Sequence, residues 1–81
     1  FHKEDFGRIQ EIFEWYASSN ELSLQPGQGY FIAENEEEMK NRIRYEIFPL
    51  IKEYLQEGLI RSTKEEFNNY FAVRINKSLF E

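Results

Sequence analysis

The sequence lacks cysteine altogether, contains a single histidine, and has no apolar run approaching the roughly 20 residues of a membrane-spanning helix. Without cysteine, no disulfide can stabilise the chain, and a zinc site built on thiolates is excluded. The sequence signatures G-x-x-x-x-G-K-S/T, G-x-G-x-x-G and G-x-S-x-G, which mark phosphate-binding and nucleophile loops, are also missing. We therefore predict that this chain alone is not an enzyme, holds no metal ion and does not enter a membrane.

Positive charges are outnumbered, with 10 Lys and Arg against 15 Asp and Glu, and the net charge is −5 with a sequence pI near 4.9. That sign opposes a phosphate backbone, so we expect no direct binding of nucleic acid. The chain begins with Phe1 and His2 and has neither an initiator methionine nor a signal-peptide pattern. We expect a piece of a longer protein, and the absence of cysteine is compatible with the cytoplasm. At this chain end, His2 is expected to fray rather than to act as a catalytic base.

Aromatic residues, in contrast, are abundant: eight Phe, five Tyr and one Trp among 81 residues. They are numerous enough to build a dense core from few side chains, and the length suits one small domain spanning residues 1–81. A domain of this size has little interior, so some of the rings could instead be covered by a partner.

The most strongly patterned stretch lies between Asn35 and Gly58 and predicts one long amphipathic helix. Asn35 and Glu38 have the spacing of a capping pair, and Gly58 suits the position after the last turn. Pro49 lies inside the pattern, and because the apolar arc keeps its phase on both sides of it, we expect a kink and not a break. On a helical wheel, one arc of about 120° holds Met39, Ile43, Ile47, Leu50, Ile51 and Tyr54.

Two further helices are predicted to flank this central one. The first, over residues 4–18, carries apolar residues on one face at Phe6, Ile9, Ile12, Phe13 and Tyr16. The last follows two overlapping capping boxes within residues 62–66 and carries apolar residues four apart at Phe67, Phe71, Ile75 and Leu79. Within it, residues 70–75 have enough aromatic and β-branched content to form a strand, so helix and strand both stay open there.

The segment between the first two helices is predicted to be irregular. Pro26 and Gly27 form a turn dipeptide, and residues 30–32 are a short apolar run typical of a buried extended segment, with which Leu22 and Leu24 could pair. The expected fold is therefore mostly α, a small domain of three to four helices with one short extended segment. Its predicted core joins the central helix to its neighbours through Ile47, Leu50, Ile51, Tyr54, Ile9, Phe13, Phe67 and Phe71.

Two segments together resemble the carboxy-terminal part of McrB-type AAA+ NTPases, the motor subunits of 5-methylcytosine-specific restriction systems and their relatives. Residues 27–31 are GQGYF, where that family has a turn similar to G-H-S-Y-F. Residues 45–55 are YEIFPLIKEYL, where the family has a helix similar to E-I-I-P-L-L-E-E-Y. The proline inside an apolar helix is the more specific feature of the two. The chain departs from the family at Gln28 and Gly29, which replace the His-Ser pair.

The resemblance implies a small helical AAA+ lid domain at or near the end of a cytoplasmic parent protein, after a core that carries the Walker motifs. The cofactor of that parent would be ATP or GTP with magnesium. Its partners would be the AAA+ core domain of the same chain and the neighbouring subunits of a ring. The residues that the resemblance puts nearest the nucleotide are Gly27, Gln28, Gly29 and Tyr30.

Two alternatives remain beside this hypothesis. The turn at residues 27–31 could be an ordinary loop whose aromatic rings fill the core. The whole chain could be an autonomous helical module that docks on a partner protein through exposed aromatic residues.

The 81-residue chain is expected to bind ATP or GTP more weakly than about 1 mM and to hydrolyse neither, because it lacks a phosphate-binding loop with its lysine and carries net negative charge. Calorimetric titration and a phosphate-release assay on the purified chain measure the two properties. Millimolar or tighter binding accompanied by turnover would contradict this prediction.

Overall fold

The computed structural model describes residues 1–80, and across them the chain folds into helices joined by short connections, without a β-strand. Its four α-helices are α1 (Lys3–Tyr16), α2 (Glu36–Arg42), α3 (Phe48–Gln56) and α4 (Lys64–Ile75). A π-helical segment, Ile43–Ile47, joins α2 to α3, and short 3-10 helices span Ser19–Leu24, Gln28–Phe31 and Arg61–Thr63. The prediction of a mostly α domain is confirmed, and residues 70–75 are helical.

Helix α1 buries the middle of the predicted apolar face, with Ile9, Ile12 and Phe13 fully inaccessible to solvent, whereas Phe6 is partly buried and Tyr16 is exposed. The expectation that His2 frays is wrong. Its backbone N–H donates a hydrogen bond of 2.9 Å to the carbonyl of Phe31, and its ring Nε2 lies 3.2 Å from the carbonyl oxygen of Ala33. These two contacts fasten the residue before α1 to the segment that leads into α2.

The π-helical segment joins α2 and α3 into one continuous helix, called the central helix below. In a regular α-helix each four-residue step drifts about 40° around the axis, because one turn takes 3.6 residues. A π-helix, with i→i+5 bonds and about 4.4 residues per turn, drifts about 30° the other way over the same step. Across the three steps that join Met39, Ile43, Ile47 and Ile51, the segment reduces the net drift from about 120° to about 50°, and all four residues are fully buried.

The same segment explains how the helix accommodates Pro49. In an α-helix the proline ring would clash with the carbonyl of Tyr45. Here the hydrogen-bond ladder has already shifted, since the N–H of Phe48 donates to the carbonyl of Ile43, five residues back. Pro49 thus lies in the first turn of α3, where a missing N–H costs least, and the helix continues through it as predicted.

Both predicted ends of the central helix are confirmed. At its start, the side chain of Asn35 accepts a hydrogen bond of 2.8 Å from the N–H of Glu38. At its end, Gly58 adopts a φ of +82°, and the N–H of Leu59 donates to the carbonyl of Tyr54 at 2.9 Å. This is the Schellman arrangement that a glycine after the last turn permits.

The connection to α4 contains a left-handed backbone at Ile60, with φ 44° and ψ 38°. Its side chain is fully buried, and its N–H donates to a carboxylate oxygen of Glu21 at 3.0 Å. The hydroxyl of Thr63 donates to the backbone carbonyl of Ile60 at 2.6 Å. Thr63 therefore makes no side-chain cap on α4, because its hydroxyl is buried and turned back toward Ile60. Ser62 lies inside the preceding 3-10 helix and is not the residue before α4, so both predicted capping boxes are wrong.

Helix α4 buries Phe67, Phe71 and Ile75, as predicted. Leu79 is buried too, but it lies beyond the end of the helix. It reaches the core because the tail folds back, with the N–H of Leu79 donating to the side-chain oxygen of Asn68 at 2.7 Å.

The predicted extended segment at residues 30–32 is wrong, and so is its pairing with Leu22 and Leu24. The N–H of Tyr30 donates to the carbonyl of Gly27 at 3.1 Å, which closes a 3-10 turn, and both leucines lie in the preceding 3-10 helix. These local bonds satisfy the backbone without a partner strand, whereas an isolated two-stranded ribbon is only marginally stable in water.

Phenylalanine rings form the centre of the core, where α1, α3 and α4 meet. Phe13 and Phe67 pack edge to face with centroids 5.8 Å apart, and Phe48 and Phe71 do so at 5.0 Å. Phe67 stacks on Phe71 along α4 at 5.9 Å.

None of the helices in residues 1–80 combines the length and apolar character needed to cross a membrane.

Two of the predicted core residues of the central helix are buried only in part. Leu50 is partly exposed, and Tyr54 keeps its ring against the core while its hydroxyl donates to the carbonyl of Leu24 at 2.9 Å. Ile47 and Ile51 are fully buried, as predicted.

The substitution Ile47→Ala is expected to lower the free energy of unfolding by about 2–5 kcal/mol, because a fully buried side chain is removed from the π-helical segment. Leu50→Ala on the same helix is the control and is expected to cost less, because Leu50 is partly exposed. Urea unfolding measures both. A loss below about 0.5 kcal/mol for Ile47→Ala, the range of surface substitutions, would contradict the prediction.

Candidate functional site

The turn at residues 27–31, called the glycine turn below, lies between a buried proline and a buried phenylalanine. Pro26 and Phe31 are buried, whereas Gly27, Gln28 and Gly29 are exposed. The turn is a single 3-10 helix closed by the bond from Tyr30 to Gly27. Both of its ends are therefore fixed in the domain while its glycine backbone faces outward.

Arg42, the last residue of α2, binds the glycine turn through two of its nitrogens. Its Nε donates to the carbonyl of Tyr30 at 3.1 Å, and its Nη2 donates to the carbonyl of Gly29 at 3.0 Å. The same Nη2 lies 3.3 Å from a carboxylate oxygen of Glu46, which belongs to the π-helical segment. The planar guanidinium can serve several acceptors at once because its donors form a rigid fork.

These residues enclose a shallow cleft of about 350 Å³, lined by Gly27, Gly29, Tyr30, Arg42 and Glu46. Three of the four sequence-predicted site residues thus lie together on one surface. Gln28 is exposed beside them and does not line the cleft.

The aromatic residues of the turn anchor it on two helices. The ring of Phe31 is fully buried and packs edge to face on Phe6 of α1, with centroids 5.3 Å apart. The ring of Tyr30 is partly buried against the core. The turn is therefore held on α1 by a ring and on the central helix by Arg42.

The two glycines of the cleft are not required by the fold of this domain. Gly58 is the only glycine with a positive φ in the part of the chain that the structure describes, so Gly27 and Gly29 have no left-handed backbone. A Cβ atom built at either position meets nothing within 4 Å. Bare backbone at this surface is therefore a property that the domain's own packing does not explain.

A second polar cluster joins α1, the start of α2 and α4. The carboxylate of Asp5 accepts hydrogen bonds from the hydroxyl of Tyr70 at 2.7 Å and from the Nε of Arg74 at 2.8 Å. Arg74 also binds Glu36, through Nη2 at 2.9 Å and through Nη1. Asp5, Glu36 and Arg74 of this cluster line a cleft of about 630 Å³ together with residues 1–4.

The ionisation of this cluster follows from its contacts. Burial opposes the charge of Asp5, but hydrogen bonds from Arg74 and Tyr70 outweigh it and hold the pKa of Asp5 below its usual value of 3.8. Burial, together with the bond to Asp5, raises the pKa of the Tyr70 hydroxyl far above its usual value. The hydrogen bond from Arg74 lowers the pKa of the exposed Glu36. Both carboxylates are thus ionised and paired at neutral pH, as in a structural ion-pair network.

Most of these partners could not be identified from local sequence patterns. Arg42 has a glutamate four residues away on either side along the helix, Glu38 and Glu46, and in the structure it pairs with Glu46. The spacing to Glu46 was a usable signal. Asp5 and Arg74 lie far apart along the chain, and no local pattern links them.

Among residues 1–80, no group of three or more His, Cys, Asp or Glu side chains could hold a metal ion. Arg42, at the glycine turn, is already engaged by two carbonyls and Glu46. The cleft is thus poorly suited to bind a polyphosphate by itself, and a nucleotide near it would need other residues for its phosphates. No protein-family model, curated protein or solved structure matches this chain.

The substitution Asp5→Asn tests the second cluster. Because the pKa of Asp5 is lowered in the folded state, its stabilisation is complete above the usual value of 3.8 and is lost as the pH falls through the folded-state pKa. At pH 7 the variant is expected to be less stable by roughly 1.5–3 kcal/mol, the scale of hydrogen bonds to charged groups. The difference from the wild type should shrink as the pH falls from about 4 to 2.

Chemical unfolding at a series of pH values measures this difference. Glu4→Gln makes the same chemical change on the adjacent exposed residue and is expected to stay within about 0.5 kcal/mol of the wild type. A stability difference for Asp5→Asn that does not change with pH would contradict the role given to its charge.

Proposed function

We propose that this domain is the non-catalytic lid of an McrB-like AAA+ NTPase, where it assists nucleotide binding and couples neighbouring subunits. The observation that carries the proposal is that the two segments of the family resemblance meet in the fold. The glycine turn is bound by Arg42, and Arg42 is paired with Glu46, which lies within the second segment at residues 45–55. Two separate likenesses in sequence thus belong to one local structure.

The exposed glycine backbone supports the same proposal. Gly27 and Gly29 leave open space where side chains would stand, although the fold would accept side chains there. Glycine allows a close approach of the backbone to another surface. In the proposed parent, that surface is the nucleotide held by the AAA+ core, with ATP or GTP and magnesium bound by the core's own residues.

The remaining parts of the proposal rest on the resemblance. The partners are the AAA+ core domain of the same parent chain and the neighbouring subunits of a ring, and the location is the cytoplasm. The rigid attachment of the turn to α1 and to the central helix is compatible with a lid that moves as one body over a nucleotide.

A second candidate function, an autonomous protein-interaction module, is favoured by large apolar side chains at the surface. Trp15 is 72% exposed, Tyr45 is 70% exposed and Val73 is 90% exposed. The coding sequence upstream of Phe1 separates the two candidates. Walker A and Walker B motifs there would support the lid, and a start codon close to Phe1 would support the module.

The substitution Gly29→Val in the longer protein that the proposal requires is expected to reduce nucleotide affinity or turnover at least tenfold, because a branched side chain would stand between the turn and the nucleotide. Gly7→Val is the matched control. Gly7 also has nothing within 4 Å of a built Cβ, but it lies on α1 away from the cleft. Steady-state hydrolysis and equilibrium nucleotide binding measure the effect.

Circular dichroism of the isolated domain carrying each substitution establishes that it folds. Unchanged kinetics in a folded Gly29→Val variant would overturn the placement of the turn at the nucleotide. An equal loss in Gly7→Val would attribute the effect to the domain as a whole.

A further inference from the structure

The carbonyls at the end of the glycine turn are satisfied by one side chain from a distant helix. A helical turn leaves its last carbonyls without partners inside the turn. Those of Gly29 and Tyr30 both accept from Arg42, at 3.0 and 3.1 Å. Two acceptors on consecutive residues match the fork of a guanidinium, and an ammonium group cannot match them in the same way. The identity of residue 42 therefore matters, and not only its charge.

The direction of the Arg42 side chain is set from within the central helix. Arg42 is the last α-helical residue before the π-helical segment, and Glu46 within that segment holds the same Nη2 nitrogen that binds Gly29. If residues 43–47 were α-helical, α2 would be turned by about 70° relative to α3, from the difference between the two helical drifts over four residues. Arg42 would then point away from the position it has. The π-helical segment and Glu46 together aim the guanidinium at the turn.

We propose that Arg42 is a positioning residue that fixes the glycine turn on the central helix, and that the π-helical segment with Glu46 is what directs it there. The significance of this for a nucleotide rests on the proposed function. The positioning itself does not, because it concerns only contacts within this chain. Arg42 acts on a ligand through the backbone of the turn, since its donors are engaged by Gly29, Tyr30 and Glu46.

Amide hydrogen exchange in the 81-residue chain tests the positioning. The N–H of Tyr30, bonded to Gly27 inside the turn, is the reporter. In Arg42→Ala its exchange is expected to be at least tenfold faster, and in Arg42→Lys it should be intermediate, because lysine can reach one carbonyl as a point charge. Glu46→Gln should accelerate it less than Arg42→Ala does.

The control is Lys40→Ala, on the same central helix. Lys40 lies on α2 outside the π-helical segment and does not line the cleft, so exchange at Tyr30 should not change. The global unfolding free energy of each variant is measured in parallel, and the acceleration must exceed what the change in global stability accounts for. If Arg42→Ala folds and leaves the exchange of Tyr30 unchanged, the proposal is overturned; if it does not fold, Arg42→Lys decides in the same way.

A second measurement separates this proposal from the lid function. In the longer protein, Arg42→Ala is expected to raise the KM for nucleotide at least tenfold while kcat falls less, because the turn is displaced and not the catalytic core. Faster exchange at Tyr30 with unchanged nucleotide kinetics would uphold the positioning and overturn the placement of the turn at the nucleotide. Unchanged exchange would overturn the positioning whatever the kinetics show.

Discussion

The burial of one stripe along the central helix is the constraint on which the rest of the domain depends. Four fully buried residues lie four apart along this stripe: Met39, Ile43, Ile47 and Ile51. In a regular α-helix, side chains at this spacing would move gradually around the helix axis and away from one face. The π-helical segment reduces that drift at the centre of the stripe. It also shifts the hydrogen-bond ladder just before Pro49, so one local irregularity serves both the packing and the proline.

Around this helix, charged side chains rather than strands hold the irregular segments. Glu21 accepts the N–H of Ile60, Arg42 satisfies two carbonyls of the glycine turn, and Arg74 joins Asp5 to Glu36. A chain of this length with no disulfide has few other means of ordering its connections. Each of these groups makes several bonds at once, so the connections are ordered at the cost of few side chains. The exposed glycine backbone of the cleft is the exception, since no packing within the domain calls for it.

Features that depend on neighbouring residues were predictable from the sequence, and features that depend on distant ones were not. The caps at Asn35 and Gly58 and the continuation of the helix through Pro49 were all anticipated, because each rests on a pattern within a few residues. The strand assigned near Tyr30 failed because the apolar run was too short to show its period, and a local turn satisfied its backbone instead. The cap assigned to Thr63 failed because its hydroxyl serves Ile60. Three members of the candidate cleft were predicted, whereas Arg42 and Glu46 were identified only once the fold brought the helix against the turn.

The left-handed backbone of Ile60 gives this position two demands that no single residue type meets. Its conformation favours glycine, and holding a branched residue there costs on the order of 1–3 kcal/mol. Its place in the core favours a large apolar side chain, whose full burial contributes about 1.5–3 kcal/mol. Relaxing the backbone with glycine would empty part of the core, and any other apolar residue would keep the strain. Neither kind of substitution at Ile60, in the connection between α3 and α4, is therefore an improvement by itself. Related chains should vary at this position only together with the residues that surround this side chain.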